Sequence, residues 1–189
     1  DTGGSCRIPA AFNGIVGYKP TASRIPTAGA FPLSTTLDSI GPLARKVSCC
    51  AILDAALASQ DWIAPAPRSP KGLRMAIPKT YVMNDLEPAV AQAFSASLEK
   101  LASAGAIISE IACPEMDLIP SANARGGFAA PESLASHRAL IEQYADLYDK
   151  RVLTRIQRGH EQSACDYIEL MRLRAQIIRD FEIRMADYD

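Results

Sequence analysis

Residues 73–113 constrain the fold most. "LRMAIPK" (Leu73 to Lys79) reads as a short strand, and "DLEPAVAQAFSASLEKLASAGA" (Asp85 to Ala106) as a long amphipathic helix. Val90, Phe94, Leu98 and Leu101 recur along that helix at helical spacing, and Gly105 is its stop signal. "IISEIAC" (Ile107 to Cys113) alternates as a strand directly afterwards. Strand, helix and strand in direct succession favour a parallel pair joined by a right-handed crossover. The chain is therefore expected to be an α/β protein.

The flanking segments fit that class. "GIVGYKP" (Gly14 to Pro20) reads as a short apolar strand stopped by proline, and residues 21–39 as a loop rich in Pro, Gly, Ser and Thr. "SIGPLAR" (Ser39 to Arg45) reads as a second buried strand. "SCCAILDAALAS" (Ser48 to Ser59) predicts a helix capped by Ser48, with Ile52, Leu53, Ala56 and Leu57 on one face. Residues 61–72 are a proline-rich connector. After Pro114 the pattern turns helical, and residues 133–149 and 165–188 predict two amphipathic helices that cover the sheet or cap its edge. The expected layout is part of one domain. Residues 1–113 form its α/β core segment and residues 114–189 its helical covering or cap segment.

Composition removes several classes of function. A net charge of -1 gives no electrostatic reason to expect nucleic acid or anionic lipid as a partner. No apolar run approaches the ~18 residues that suggest a membrane span. The five cysteines, Cys6, Cys49, Cys50, Cys113 and Cys165, are odd in number and contain no CxxC pair. Neither a disulfide framework nor a metal site is expected from them. They read as free thiols in a reducing compartment, with Cys49, Cys50 and Cys113 in the core. The only two histidines, His137 and His160, sit in polar helical surroundings and are poor material for a Ser-His or Cys-His mechanism.

The opening "DTGGSCRIPAAFNG" is the chemical feature. Two glycines allow positive φ and a close approach to a substrate. Successive N–H groups in such a turn can form a nest for a developing oxyanion. Ser5 stands where a helix N-cap would stand, and that helix end adds a field favourable to negative charge. Gly-Gly-Ser in isolation is also an ordinary flexible turn. "DTG" is the core of the aspartic-protease motif as well, where two aspartates share a proton. Here a second glycine follows, no second DTG occurs, and the helical remainder does not look like an all-β protease.

The longer stretch "DTGGSCRIPAAFNGIVGYKPT" resembles the amidase signature family position by position. "AGAFPLSTTLDSIGPLARKV" is similar to the family's following block, with Pro32, Ser34, Leu37, Asp38, Gly41, Pro42 and Arg45 in the expected places. The strand-helix-strand and the helix over "ACDYIELMRLRAQIIRDFE" resemble later family elements. The resemblance covers nearly the whole chain, and its first 45 residues carry the specific part. It implies a mixed, mostly parallel β-sheet core flanked by helices, incomplete here, with a largely helical C-terminal part.

The resemblance also implies a serine amidohydrolase. Ser5 would be the nucleophile and its proton would pass to a second serine, held in a cis peptide bond and polarised by a lysine. The backbone N–H groups of Thr2, Gly3 and Gly4, with Ser5 as a further candidate, would hold the oxyanion. Serine needs such a base, and burial can depress a lysine pKa enough to make it one. Asp1 and Arg7 would pair to brace the turn. Asp38 either holds a nearby loop or is an ordinary turn aspartate. Phe31 and Ile40 either line a substrate pocket or belong to the core. Cys6 is expected to point into the core.

Family members carry the lysine and the cis-serine well upstream of the nucleophile, and no such segment occurs here. The expectation is the middle of a longer enzyme, inactive alone, whose other segments supply the base. It would act in the cytoplasm on a small-molecule amide, with no cofactor, no metal, no nucleic acid and no membrane, and a homodimer is allowed. Two alternatives remain. One is a glutaminase-type subunit of a tRNA-dependent amidotransferase that passes ammonia to a partner. The other is a non-catalytic α/β scaffold.

Overall fold

The computed structural model describes residues 1–64 and 66–189; Pro65, in the proline-rich connector, lies outside the described residues. The elements in chain order are α1 (Arg7–Asn13), β1 (Val16–Gly17), β2 (Leu43–Ala44), α2 (Val47–Leu57), β3 (Arg74–Pro78), α3 (Pro88–Ser103), β4 (Ile107–Ile111), α4 (Ile119–Asn123), α5 (Ala129–Tyr144), α6 (Lys150–Gln157) and α7 (Ala164–Met185). Short 3₁₀ turns cover Pro114–Leu118, Ala145–Leu147 and Arg158–Glu161. The residues gather into two units: Asp1–Pro65 with Arg125–Tyr167, and Ala66–Ala124 with Ile168–Asp189.

In the first unit β1 and β2 pair antiparallel, with Val16 opposite Ala44 and Gly17 opposite Leu43. Helix α1 seats on β1 through a glycine. A Cβ at Gly17 would stand 2.3 Å from the Cys6 carbonyl oxygen and 2.7 Å from the Ala10 Cβ. Gly14, at φ 62°, closes α1 by donating its N–H back to the Ala10 and Ala11 carbonyls.

Helix α2 departs from expectation in three ways. Lys46, not Ser48, occupies its N-cap position. Its buried residues are Cys50, Asp54 and Ala55, whereas Ile52, Leu53 and Leu57 are exposed. Cys49 is exposed, because it lies one residue and about 100° around the helix from Cys50. Polar groups choose the face. Arg24 donates to Asp54 Oδ2 through Nε and Nη2, both at 2.7 Å, and the Cys50 thiol faces the Val16 carbonyl at 3.6 Å.

In the second unit β3 and β4 pair in parallel, Arg74 opposite Ile107 through Pro78 opposite Ile111, with α3 between them in sequence. Pro88 opens α3 and Gly105, at φ 94°, follows its end. The apolar stripe is only partly covered: Leu98 and Leu101 are half-buried, while Val90 and Phe94 are exposed. Two strands are too narrow to cover a helix of 16 residues. Cys113 is buried and trades hydrogen bonds with the Thr80 hydroxyl. Glu115, also buried, accepts from Arg184 Nε at 2.7 Å, which pins the end of α7 to the 3₁₀ turn after β4.

Candidate active site

The turn before α1 is organised by one buried carboxylate. The Asp1 side chain is 1% exposed. Its Oδ1 accepts from the Gly4 N–H at 2.8 Å and from Arg7 Nη2 at 3.2 Å. Its Oδ2 accepts from Arg7 Nε at 3.0 Å and from the Cys6 N–H at 3.3 Å. A buried carboxylate is tolerable when its oxygens are satisfied and a cation faces it, and here both conditions hold. Gly4 turns at φ 128°, and a Cβ there would lie 2.5 Å from the Ile8 Cδ1. The Cys6 thiol points inward and donates to the Gly41 carbonyl at 3.3 Å.

Ser5 ends the turn and is exposed. It does not cap α1. Cys6 takes the N-cap position and makes no side-chain capping bond. The Ser5 hydroxyl thus remains available, and among the described residues no side chain hydrogen-bonds to it. The backbone N–H groups of Thr2, Gly3 and Ser5 likewise have no acceptor among the described residues. Gly4 differs from expectation, because its N–H is already committed to Asp1 inside the turn.

A loop at residues 33–39 holds the turn from the other side. Asp38 Oδ2 accepts from the Leu33 and Ser34 N–H groups, at 2.9 and 3.0 Å, and its Oδ1 accepts from the Thr2 hydroxyl. The Asp1 amino nitrogen donates to the Ser39 carbonyl. Asp38 therefore both shapes its own loop and ties it to the turn before α1.

Sequence reasoning missed Glu132, which anchors the same loop to α5. It is buried, and its carboxylate accepts from the Ser34, Thr36 and Tyr167 hydroxyls and, at 3.1 Å, from the Thr36 N–H. Burial works against its charge. The hydroxyl and N–H donors outweigh burial and hold its pKa below the ordinary carboxylate value. The sequence signal was one acidic residue in the first turn of a helix, and nothing local tells such a residue from a solvated one.

Phe31, Leu33 and Ile40 line a cavity of about 320 Å³ that Thr2 and Asp38 also border. The expectation that Phe31 is either core or pocket resolves to the wall of this cavity, with the residue 64% exposed. It tilts against the His137 ring, centroids 4.8 Å apart, and His137 Nδ1 lies 2.7 Å from the Tyr148 hydroxyl. His137 thus sits among aromatic groups and not in the polar surroundings expected of it. Lys19 donates to the Pro20 carbonyl and Lys79 pairs with Glu110, so neither contacts Ser5. Among the described residues, no group of three or more His, Cys, Asp or Glu is gathered as a metal site.

A family model described as Amidase matches residues 1–189. The chain is 36% identical over 170 residues to 2-amino-5-chloromuconic acid deaminase from Comamonas testosteroni, covering 89% of this chain and 37% of that protein. It is 30% identical over 224 aligned positions to a glutamyl-tRNA(Gln) amidotransferase subunit from Latilactobacillus sakei, covering all of this chain and 46% of that protein. A crystal structure of an amidase superposes with a TM-score of 0.88 at 27% identity, over all of this chain and 42% of the other. The chain thus spans less than half the length of the relatives it matches.

Proposed function

The chain belongs to the amidase family, and from that premise we propose that it carries the nucleophile and part of the oxyanion site of an enzyme that hydrolyses a carboxylic amide. Ser5 Oγ attacks the amide carbon and a C–O bond forms. The carbonyl electrons move onto oxygen, the base hands the Ser5 proton to the amide nitrogen, and the return of the electrons expels ammonia or an amine, leaving an acyl-enzyme on Ser5. Water then attacks the ester and frees the acid. The Thr2 and Gly3 N–H groups, with that of Ser5, donate to the oxyanion, while Gly4 serves through Asp1 as a brace. Such preorganised donors add about 3 kcal/mol each to transition-state stabilisation. The base that takes the Ser5 proton comes from a part of the enzyme outside these 189 residues. The five unpaired cysteines fit a cytoplasmic enzyme.

The observation that carries this reading is the exposed Ser5 hydroxyl at the end of a turn rigidified by buried Asp1. The test is ammonia release from simple amides by the full-length enzyme and its Ser5→Ala variant. The substitution is expected to lower turnover by at least about 10³-fold and to abolish labelling by a serine-reactive fluorophosphonate. Full turnover in the variant would end the proposal. Similarity to an amidotransferase subunit over the whole chain supports a second reading, in which the ammonia passes to a partner protein. Robust ammonia release without any partner would exclude that reading.

A further inference from the structure

The loop at residues 33–39 contains no helix or strand, yet it borders the cavity beside Thr2 and reaches the turn that ends on Ser5. Such a loop has no ladder of its own to fix its shape. It is gripped from two sides instead. On one side the buried Glu132 carboxylate of α5 accepts from the Ser34 and Thr36 hydroxyls and, at 3.1 Å, from the Thr36 N–H. Ser34 is fully buried and joins that carboxylate to the rest of the loop. Its hydroxyl oxygen also accepts from the Leu37 N–H at 3.2 Å. Its N–H donates to Asp38 Oδ2 at 3.0 Å, and its carbonyl accepts from the Asp38 N–H at 2.8 Å. On the other side Asp38 Oδ1 accepts from the Thr2 hydroxyl, and the Ser39 carbonyl accepts from the Asp1 nitrogen. Helix α5 holds the same segment at a second point, where the His137 ring packs on Phe31 with centroids 4.8 Å apart.

We propose that Glu132 is a positioning residue for the turn before α1: through Ser34, Asp38 and Thr2 it sets where the open N–H groups beside Ser5 stand. The inference rests on the reading of Ser5 given above. A carboxylate accepts from several donors at once and donates to none, so the Ser34 and Thr36 hydroxyls must both point toward α5. A buried network satisfied in this way holds one geometry. The Ser34 oxygen is then left to accept from Leu37, the loop closes around Asp38, and the free oxygen of Asp38 meets Thr2. Donors to an oxyanion work only when they are in place before the reaction, and a misplacement of about 1 Å can cost about 10²-fold in rate. Loosening the loop therefore lowers the rate of attack by Ser5 more than it lowers affinity.

The test uses the full-length enzyme and follows labelling of Ser5 by a fluorophosphonate, read per folded molecule as a maximal rate and a half-saturating concentration. Glu132→Ala is expected to lower the maximal rate at least about 10-fold and to change the half-saturating concentration less than about three-fold. Glu132→Gln keeps a carbonyl for the Thr36 N–H and an amide group for the hydroxyls, and should recover most of the loss. Thr36→Val and Thr2→Val each remove one hydroxyl, at opposite ends of the path, and each should lower the rate. They carry the test where Glu132→Ala does not fold. Thr2→Val added to Glu132→Ala or to Thr36→Val should cost less than about two-fold more, because the path is already cut. Arg184→Ala weakens the fold away from this loop and should leave the rate per folded molecule unchanged. An unaltered rate in Glu132→Ala and Thr36→Val would overturn the positioning role. So would losses that multiply fully with Thr2→Val, or an equal loss in Arg184→Ala. Absence of Ser5 labelling in the unaltered enzyme would end the nucleophile reading and the positioning role with it, so the two failures are distinguishable.

Discussion

At Gly4 the backbone stands at φ 128° and the Ile8 side chain fills the space a Cβ would need; at Gly3, one residue away, no atom comes within 4 Å. Gly4→Ala should therefore cost about 1–3 kcal/mol of stability, and Gly3→Ala less than about 0.5 kcal/mol, both read by urea unfolding. Gly3→Ala should still lower kcat/KM, because a methyl group beside an open N–H obstructs the substrate. Asp1 is read the same way. Asp1→Ala leaves two N–H groups and Arg7 without their acceptor, and should cost about 2–3 kcal/mol. The pairing of Asp1 with Arg7 was legible in the sequence. The use of the Gly4 N–H was not, because a hydrogen-bond direction depends on φ and ψ, which the residue types only bias.

Glu132 on α5 accepts four hydrogen bonds, and its consequence is a pH dependence of the loop at 33–39. Its folded pKa is depressed. The stabilisation is therefore fully present above the unfolded carboxylate value of about 4.3 and is lost as pH falls through the lower folded value. Glu132→Gln should reduce stability at neutral pH and flatten part of the acid limb in denaturant melts taken across pH. An equal acid slope in the variant would contradict this. Glu115 behaves alike, with its pKa lowered chiefly by the Arg184 hydrogen bond. Arg184→Ala leaves the Glu115 carboxylate without its main partner and should lower stability at neutral pH, read by urea unfolding. The strand-helix-strand at 73–113 was legible because 2- and 3.6-residue periods differ clearly over its length. The buried face of α2 was not, because Arg24 selects it from 30 residues away in sequence.

For the whole molecule, the 189-residue chain produced alone should release no measurable ammonia, whereas the full-length enzyme should do so in the same assay. Turnover by the chain alone would mean that the base lies within it. Large apolar side chains left exposed, among them Phe12, Val47 and Ile63, agree with a chain that spans less than half the length of its relatives. The sequence by itself determined the α/β class, the parallel pair, the glycine turn before α1 and the family, because these rest on periodicity and on residue types within a few positions of each other. Only the tertiary structure decided which N–H groups stay open beside Ser5, which face α2 buries, and that Glu132 ties the loop at 33–39 to α5. Glu132 and Ser34 are 98 residues apart, and a contact at that separation leaves no local period. It is set by how buried charges find partners once the chain has closed around them.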